Sequence, residues 1–148
     1  MKYLILIFSL FSVFSCSEKQ EEEVKIPINQ WYPLERTIDE YQALTPERPL
    51  LVHFICDWNL TSLLTQKHID SPRFYKLLTD HGVLPLTADY SDPKGVGNQE
   101  AEKVGLTAYC AFLLITPSGE HVKIILNKYE PDDLYQVLKS NLESHLQK

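Results

Sequence analysis

The sequence predicts an α/β domain: one mixed β-sheet sandwiched by helices. Three observations predict it. From residue 31 onward the chain alternates strand and helix signals, in the order β–α–β, then α, then a β-hairpin, then α. A sheet covered by helix layers is the natural packing for that order. Leu50 to Cys56 is an almost continuous apolar run, as expected of a strand buried on both faces. The last segment, from Pro131, sets Leu134, Val137, Leu138 and Leu142 on one stripe, the spacing of a helix lying on a core.

Each element has its own local signal. Thr37-Ile38-Asp39-Glu40 is a capping box and opens a short helix through about Leu44. Pro49 leads into the Leu50–Cys56 strand, and a helix follows from about Leu60 to Lys67. Ser71-Pro72 supplies a cap residue and a proline at the first helical position. The helix it starts turns Phe74, Leu77 and Leu78 inward and ends near Gly82. Val83 to Tyr90 reads as the second strand and Asn98 to Val104 as a short helix closed by Gly105. Ala111 to Ile115 is the third strand, and Pro117-Ser118-Gly119 turns it into a fourth, His121 to Leu126.

The 148 residues are 44% hydrophobic and 23% charged, enough apolar material for a core in one domain. Lys and Arg number 14 against 20 Asp and Glu, a net charge of −6, and no basic run occurs. Nucleic-acid affinity rests on clustered Lys and Arg, so that class of partner is excluded.

The N-terminus reads as an export signal. Met1-Lys2 is a minimal positive region, and Tyr3 to Phe14 is apolar except for Ser9 and Ser12. That is too short for a membrane span, which takes about 20 apolar residues. The ending Val13-Phe14-Ser15-Cys16 resembles the lipobox of bacterial lipoproteins, and the resemblance implies cleavage before Cys16 and lipidation of its sulfur. Two or more acyl chains make a durable anchor. The other reading is an ordinary secretory signal with an incidental cysteine. Three parts are expected: residues 1–15 as a cleaved signal, 16–30 as lipidated cysteine and acidic tether, and 31–148 as the domain. Removing the first fifteen residues, which hold one lysine and no acid, leaves 133 residues at net −7. The expected place is a bacterial envelope, facing the periplasm, and the uncharged Ser17 points to the outer membrane.

Three separated pieces then match a family in order: Phe54-Ile55-Cys56-Asp57-Trp58-Asn59-Leu60-Thr61-Ser62, Gly82 to Tyr90, and Val104 to Gly119. They resemble thioredoxin-fold domains, and most closely the periplasmic C-terminal domain of DsbD-type thiol:disulfide interchange reductases, over about residues 31–142. The resemblance implies a thioredoxin-like fold and a dithiol at the start of a helix. There the helix dipole would lower the pKa of the first thiol. This chain has Asn59 and Ser62 at those two positions. Neither can form a disulfide, and a serine hydroxyl needs an activating base. Asn59 suits a helix N-cap. The family also has a cis-proline beside its cysteines, where this chain has Cys110 after Tyr109. Because a non-proline cis bond costs about 2.5–4 kcal/mol, a trans Tyr109–Cys110 bond and a reshaped loop are expected.

Cys56 and Cys110 leave three readings open: buried thiols acting as small hydrophobes, a structural disulfide in an oxidising compartment, or a working redox or metal pair. The resemblance puts His53 where thioredoxins keep a buried acid, with Ser62 as its expected counterpart. A hydrogen-bonded core histidine is the plainer reading, since no orienting acid for a triad is evident. A Cys56/Cys110/His53 metal cluster lacks the usual ligand spacing, so no metal or other cofactor is expected. His68, His81, His121 and His145 read as scattered and solvated. Two functions follow. One is a lipid-anchored module without dithiol chemistry, binding a protein or peptide in a groove formed by Trp58, Asn59, Tyr109 and Cys110. The alternative is a thiol-disulfide oxidoreductase that uses relocated thiols at Cys110 and Cys56.

Overall fold

Leu50–Ile55 forms the central strand of a five-stranded sheet, and its unbroken apolar character follows from that position. The computed structural model describes residues 26–106 and 110–146. The elements run β1 (Tyr32–Pro33), α1 (Ile38–Leu44), β2 (Leu50–Ile55), α2 (Leu60–Ile69), α3 (Pro72–Asp80), β3 (Leu84–Asp89), α4 (Val96–Lys103), β4 (Ala111–Ile115), β5 (His121–Ile125) and α5 (Pro131–Leu146). Their order across the sheet is β1-β3-β2-β4-β5, with β1, β3 and β2 parallel and β4 and β5 antiparallel. Among the described residues no helix is long and apolar enough to cross a membrane.

Alternation along β2 divides the core in two. Leu51 packs with Phe112 and Leu114 of β4 beneath α3 and α5, which contribute Phe74, Leu78, Leu134, Leu138 and Leu142. Leu50, Val52 and Phe54 face the other way, with Leu84, Leu86 and Leu113, toward Ile38 of α1 and Ala101 of α4. Register keeps the faces consistent: Leu51 sits opposite Leu114 and His53 opposite Phe112. Each fully buried Phe or Leu contributes roughly 1.5–3 kcal/mol, so the two layers hold the sheet from both sides.

Local signals explain most boundaries. Thr37 caps α1 with both bonds of its box, and its backbone N–H and hydroxyl, both donating to the Glu40 carboxylate, hold that group below its usual pKa. Gly119, at φ 83°, closes the β4–β5 turn with its N–H on the Thr116 carbonyl. Several boundaries differ from expectation. The two-residue β1 was not expected, because it consists of backbone pairing to Leu86 and Thr87 rather than of an apolar pattern. Helix α4 starts two residues early, at Val96, from an N-cap at Gly95 that uses no side chain. The folded part also starts earlier than residue 31. Ile26 and Ile28 pack against the two core layers, and Arg48 donates to the Ile26 carbonyl at 2.7 Å. The signal, Cys16, the tether up to residue 25 and Tyr109 with its bond to Cys110 lie outside the described residues.

Candidate functional site

At the carboxyl end of β2 the chain turns through Cys56-Asp57-Trp58 into α2. Asn59 is the N-cap, and its side-chain oxygen accepts the Ser62 N–H at 3.0 Å. Ser62 is fully buried, with its hydroxyl 3.0 Å from the Cys56 carbonyl and 2.9 Å from that of Asn59. It also accepts the Cys56 N–H at 3.3 Å. With its donor and acceptor committed to backbone and no base beside it, this hydroxyl pins the β2–α2 corner and is not set up as a nucleophile.

His53 is fully buried, but its partner is not Ser62. Its Nδ1 lies 2.7 Å from Oε1 of Gln66. Because that oxygen can only accept, Nδ1 carries the proton. The lone pair on Nε2 then faces the Cys110 sulfur at 3.8 Å, while the Cys110 thiol donates to the Thr65 hydroxyl at 3.1 Å. The expected pairing fails because Ser62 turns back to the chain corner, whereas Thr65 and Gln66, one turn on, point at the sheet. Phe112 stacks on the imidazole at 4.5 Å between ring centres, and the Trp31 edge closes it at 6.2 Å. Burial pushes the His53 pKa down to about 4, so the ring is neutral at physiological pH.

Cys110 is 1% exposed, which removes it from the expected surface groove. Its backbone lies at φ 60°, a left-handed conformation that costs a residue with a Cβ about 1–2 kcal/mol. Burial raises its thiol pKa, against the lowering effect of Thr65, and nearby Cys56 raises it further. Cys56 and Cys110 are both free and buried. A neutral thiol against a neutral imidazole is the opposite of the thiolate–imidazolium pair that attacks disulfides. Among the described residues no group of three His, Cys, Asp or Glu side chains is placed to hold a metal. Of the other histidines only His121 is exposed; His68, His81 and His145 are half-buried, with ring contacts to Tyr129, Leu77 and Glu120. Alkylation of the native chain should therefore label both thiols slowly at pH 7, and at full rate only after denaturation. Labelling of Cys110 within minutes at pH 7 would contradict its burial.

Helix α2 buries two hydroxyl side chains and leaves three leucines outside. Ser62, Thr65 and Ile69 are buried against the sheet. Leu60, Leu63 and Leu64 point outward, 70%, 42% and 44% exposed, beside Trp58 at 59%. Leu60, Leu63, Leu64 and Lys67 follow the i, i+3, i+4, i+7 spacing of a single helix face. An apolar stripe that should lie on the core faces water instead. Next to α2 runs a groove of about 500 Å³ with Ile55 and Thr87 in its floor, Trp31 and Pro33 on one wall, and Gln66 of α2 and its C-cap Asp70 on the other. Asp89 stands at its end. The sequence reading found Trp58 and Asn59 but missed the leucines. The available signal was Leu at 60, 63 and 64 opposite Ser62 and Thr65.

No family model matches the chain, and no curated protein sequence does. Solved structures do. The oxidised C-terminal domain of Neisseria meningitidis DsbD matches at TM-score 0.54 and 13% identity, over 70% of this chain and 88% of that one. A thioredoxin from Thermus thermophilus matches at 0.57 and 16%, over 78% and 89%. A mutant thioredoxin from Halobacterium salinarum matches at 0.58 and 15%, over 84% and 97%. The chain has a thioredoxin-like fold. At these identities the likeness concerns the fold alone. In this thioredoxin-like domain the α2 start carries Asn59 and Ser62, and the exposed character of the site comes from Trp58 and the outward leucines.

Proposed function

We propose that this thioredoxin-like domain is a binding module of the bacterial envelope, anchored through lipid on Cys16 and facing the periplasm, with the outer membrane as its membrane. It captures a protein partner on the outer face of α2 and performs no dithiol exchange. One observation carries the reading: Leu60, Leu63 and Leu64 of α2, and Trp58 just before it, are exposed while Ser62 and Thr65 of the same helix are buried. Patches of this kind mark interaction surfaces. The oxidoreductase alternative needs an accessible thiolate, and the burial and raised pKa of Cys110 speak against it.

The test is cross-linked recovery of partners from the native envelope by the full chain and its variants. Leu63→Ser with Leu64→Ser should lower recovery about tenfold, as expected for loss of central apolar anchors. Leu44→Ser, an exposed leucine on α1, should leave recovery unchanged. Equal recovery by all three chains would reject the surface. Cys16→Ser should move the protein from the membrane to the soluble fraction, and retention in the membrane would reject the anchor.

A further inference from the structure

We infer that the partner segment is basic as well as apolar: apolar side chains seat on the α2 stripe, and a Lys or Arg enters the adjoining groove to meet Asp70 and Asp89. The inference rests on the binding reading above and specifies the chemistry of the partner.

Helix α2 carries both the leucines and part of the groove wall. Leu63 and Gln66 are spaced i, i+3 along α2 and Asp70 is the residue that ends it, so the helix that carries the stripe also supplies one wall of the groove. A segment seated on Leu63 is one helical turn from Gln66, which lines the groove. The interior of the groove suits a long amphipathic side chain. Ile55, Trp31 and Pro33 offer apolar surface to a methylene stem, and the two carboxylates offer a counter-charge to its head.

Two carboxylates line the groove. Asp70 accepts from the Tyr75 hydroxyl and Asp89 from the Ser91 N–H at 2.8 Å, which leaves each carboxylate a further oxygen. Among the described residues no lysine or arginine pairs with either, although Arg73, Lys76, Lys103, Lys128 and Lys139 all hold acidic partners elsewhere. Gln66 contributes direction. Its carbonyl oxygen is taken by His53 at 2.7 Å and by the Thr87 hydroxyl at 3.4 Å, which turns its amide N–H groups away from that pair. Those donors suit a peptide carbonyl beside the inserted cation. The chain from Cys16 onward is net −7, which steers a basic segment toward it and an acidic one away.

The test uses the full chain in zwitterionic nanodiscs and three dye-labelled synthetic peptides, read by fluorescence anisotropy. One peptide combines leucines with lysines, one has glutamates for the lysines, and one has serines for the leucines. The Leu/Lys peptide should bind at least about tenfold more tightly than either of the others. Asp70→Asn with Asp89→Asn, exposed and nearly isosteric, should weaken it about fivefold or more, and added salt should erase the preference over the Leu/Glu peptide. Equal binding of the Leu/Lys and Leu/Glu peptides, lost in the Leu63→Ser/Leu64→Ser variant, would overturn this inference and leave the apolar surface standing. Peptide binding that ignores the leucine substitutions would overturn both readings. No peptide binding, with the leucines instead holding a dimer together or holding the domain to the bilayer, would also overturn it.

Discussion

Acidification from pH 7 to pH 4 is expected to remove about 3 kcal/mol of folding stability through His53 alone. Its pKa is about 4 in the folded domain against 6.5 for an ordinary histidine, and each unit of difference is worth about 1.4 kcal/mol. The folded pKa is the lower of the two. Between pH 4 and 6.5 the unfolded chain therefore holds the extra proton, and stability rises with pH. The contribution is complete above pH 6.5 and is lost progressively as pH falls through that window. The cause is structural. Protonation would place a charge among Phe112, Trp31, Thr65 and Cys110, where Gln66 accepts from Nδ1 and a second N–H on Nε2 would meet the Cys110 sulfur, a weak acceptor. Urea unfolding of the native chain and of His53→Gln across pH 4 to 7 separates this effect from carboxylate titration. The difference between the two curves should shrink toward pH 4. Parallel curves would contradict it.

Gly97→Ala should cost about 3 kcal/mol or more, the upper end for adding a methyl group to a packed interior. Helix α4 begins directly on the end of β3. A Cβ at Gly97 would stand 2.7 Å from the Asp89 carbonyl carbon and nearer still to its oxygen. Both obstacles are backbone, so relief requires α4 to move off the sheet and open the layer that contains Ala101, Leu84 and Leu86. Gly119→Ala is the informative comparison. It meets no atom within 4 Å but must adopt φ 83°, so it should cost only about 1–2 kcal/mol. Thermal unfolding of both variants is the measurement. A Gly97→Ala protein as stable as Gly119→Ala would show that α4 yields more easily than its contacts imply.

The difference between these two glycines illustrates what the sequence could and could not convey. Period and punctuation are local, so β2, β4, α1 and α5 were legible from Leu50–Ile55, Ala111–Ile115, the Thr37 box and the Leu134 stripe. The close approach of Gly97 to Asp89 joins residues whose distance is set by the sheet, and nothing in the local pattern marks it. The same holds at the site. Asn59 as a cap is a statement about a few neighbouring residues, and it matches the bond to Ser62. The partner of His53 depended on which turn of α2 faces the sheet, and Gln66 rather than Ser62 fills that place. The leucines at 60, 63 and 64 were visible as letters. Their exposure became visible only once Ser62 and Thr65 were seen to face inward.

That inversion of α2 also governs how the domain comes apart. Helix α3 buries Phe74, Leu77 and Leu78, and α5 buries Leu134, Leu138 and Leu142. Helix α2 buries Ile69 as its one large apolar side chain, the rest of its inner face being Ser62 and Thr65. Detaching it exposes less large apolar side-chain surface than detaching either neighbour, so by apolar burial α2 is expected to open most readily of the three. Its amides should exchange with solvent hydrogen through a local opening, ahead of those in α5. A ligand seated on the outer leucines stabilises the closed helix, so the same amides would report occupancy from the far side of the binding surface.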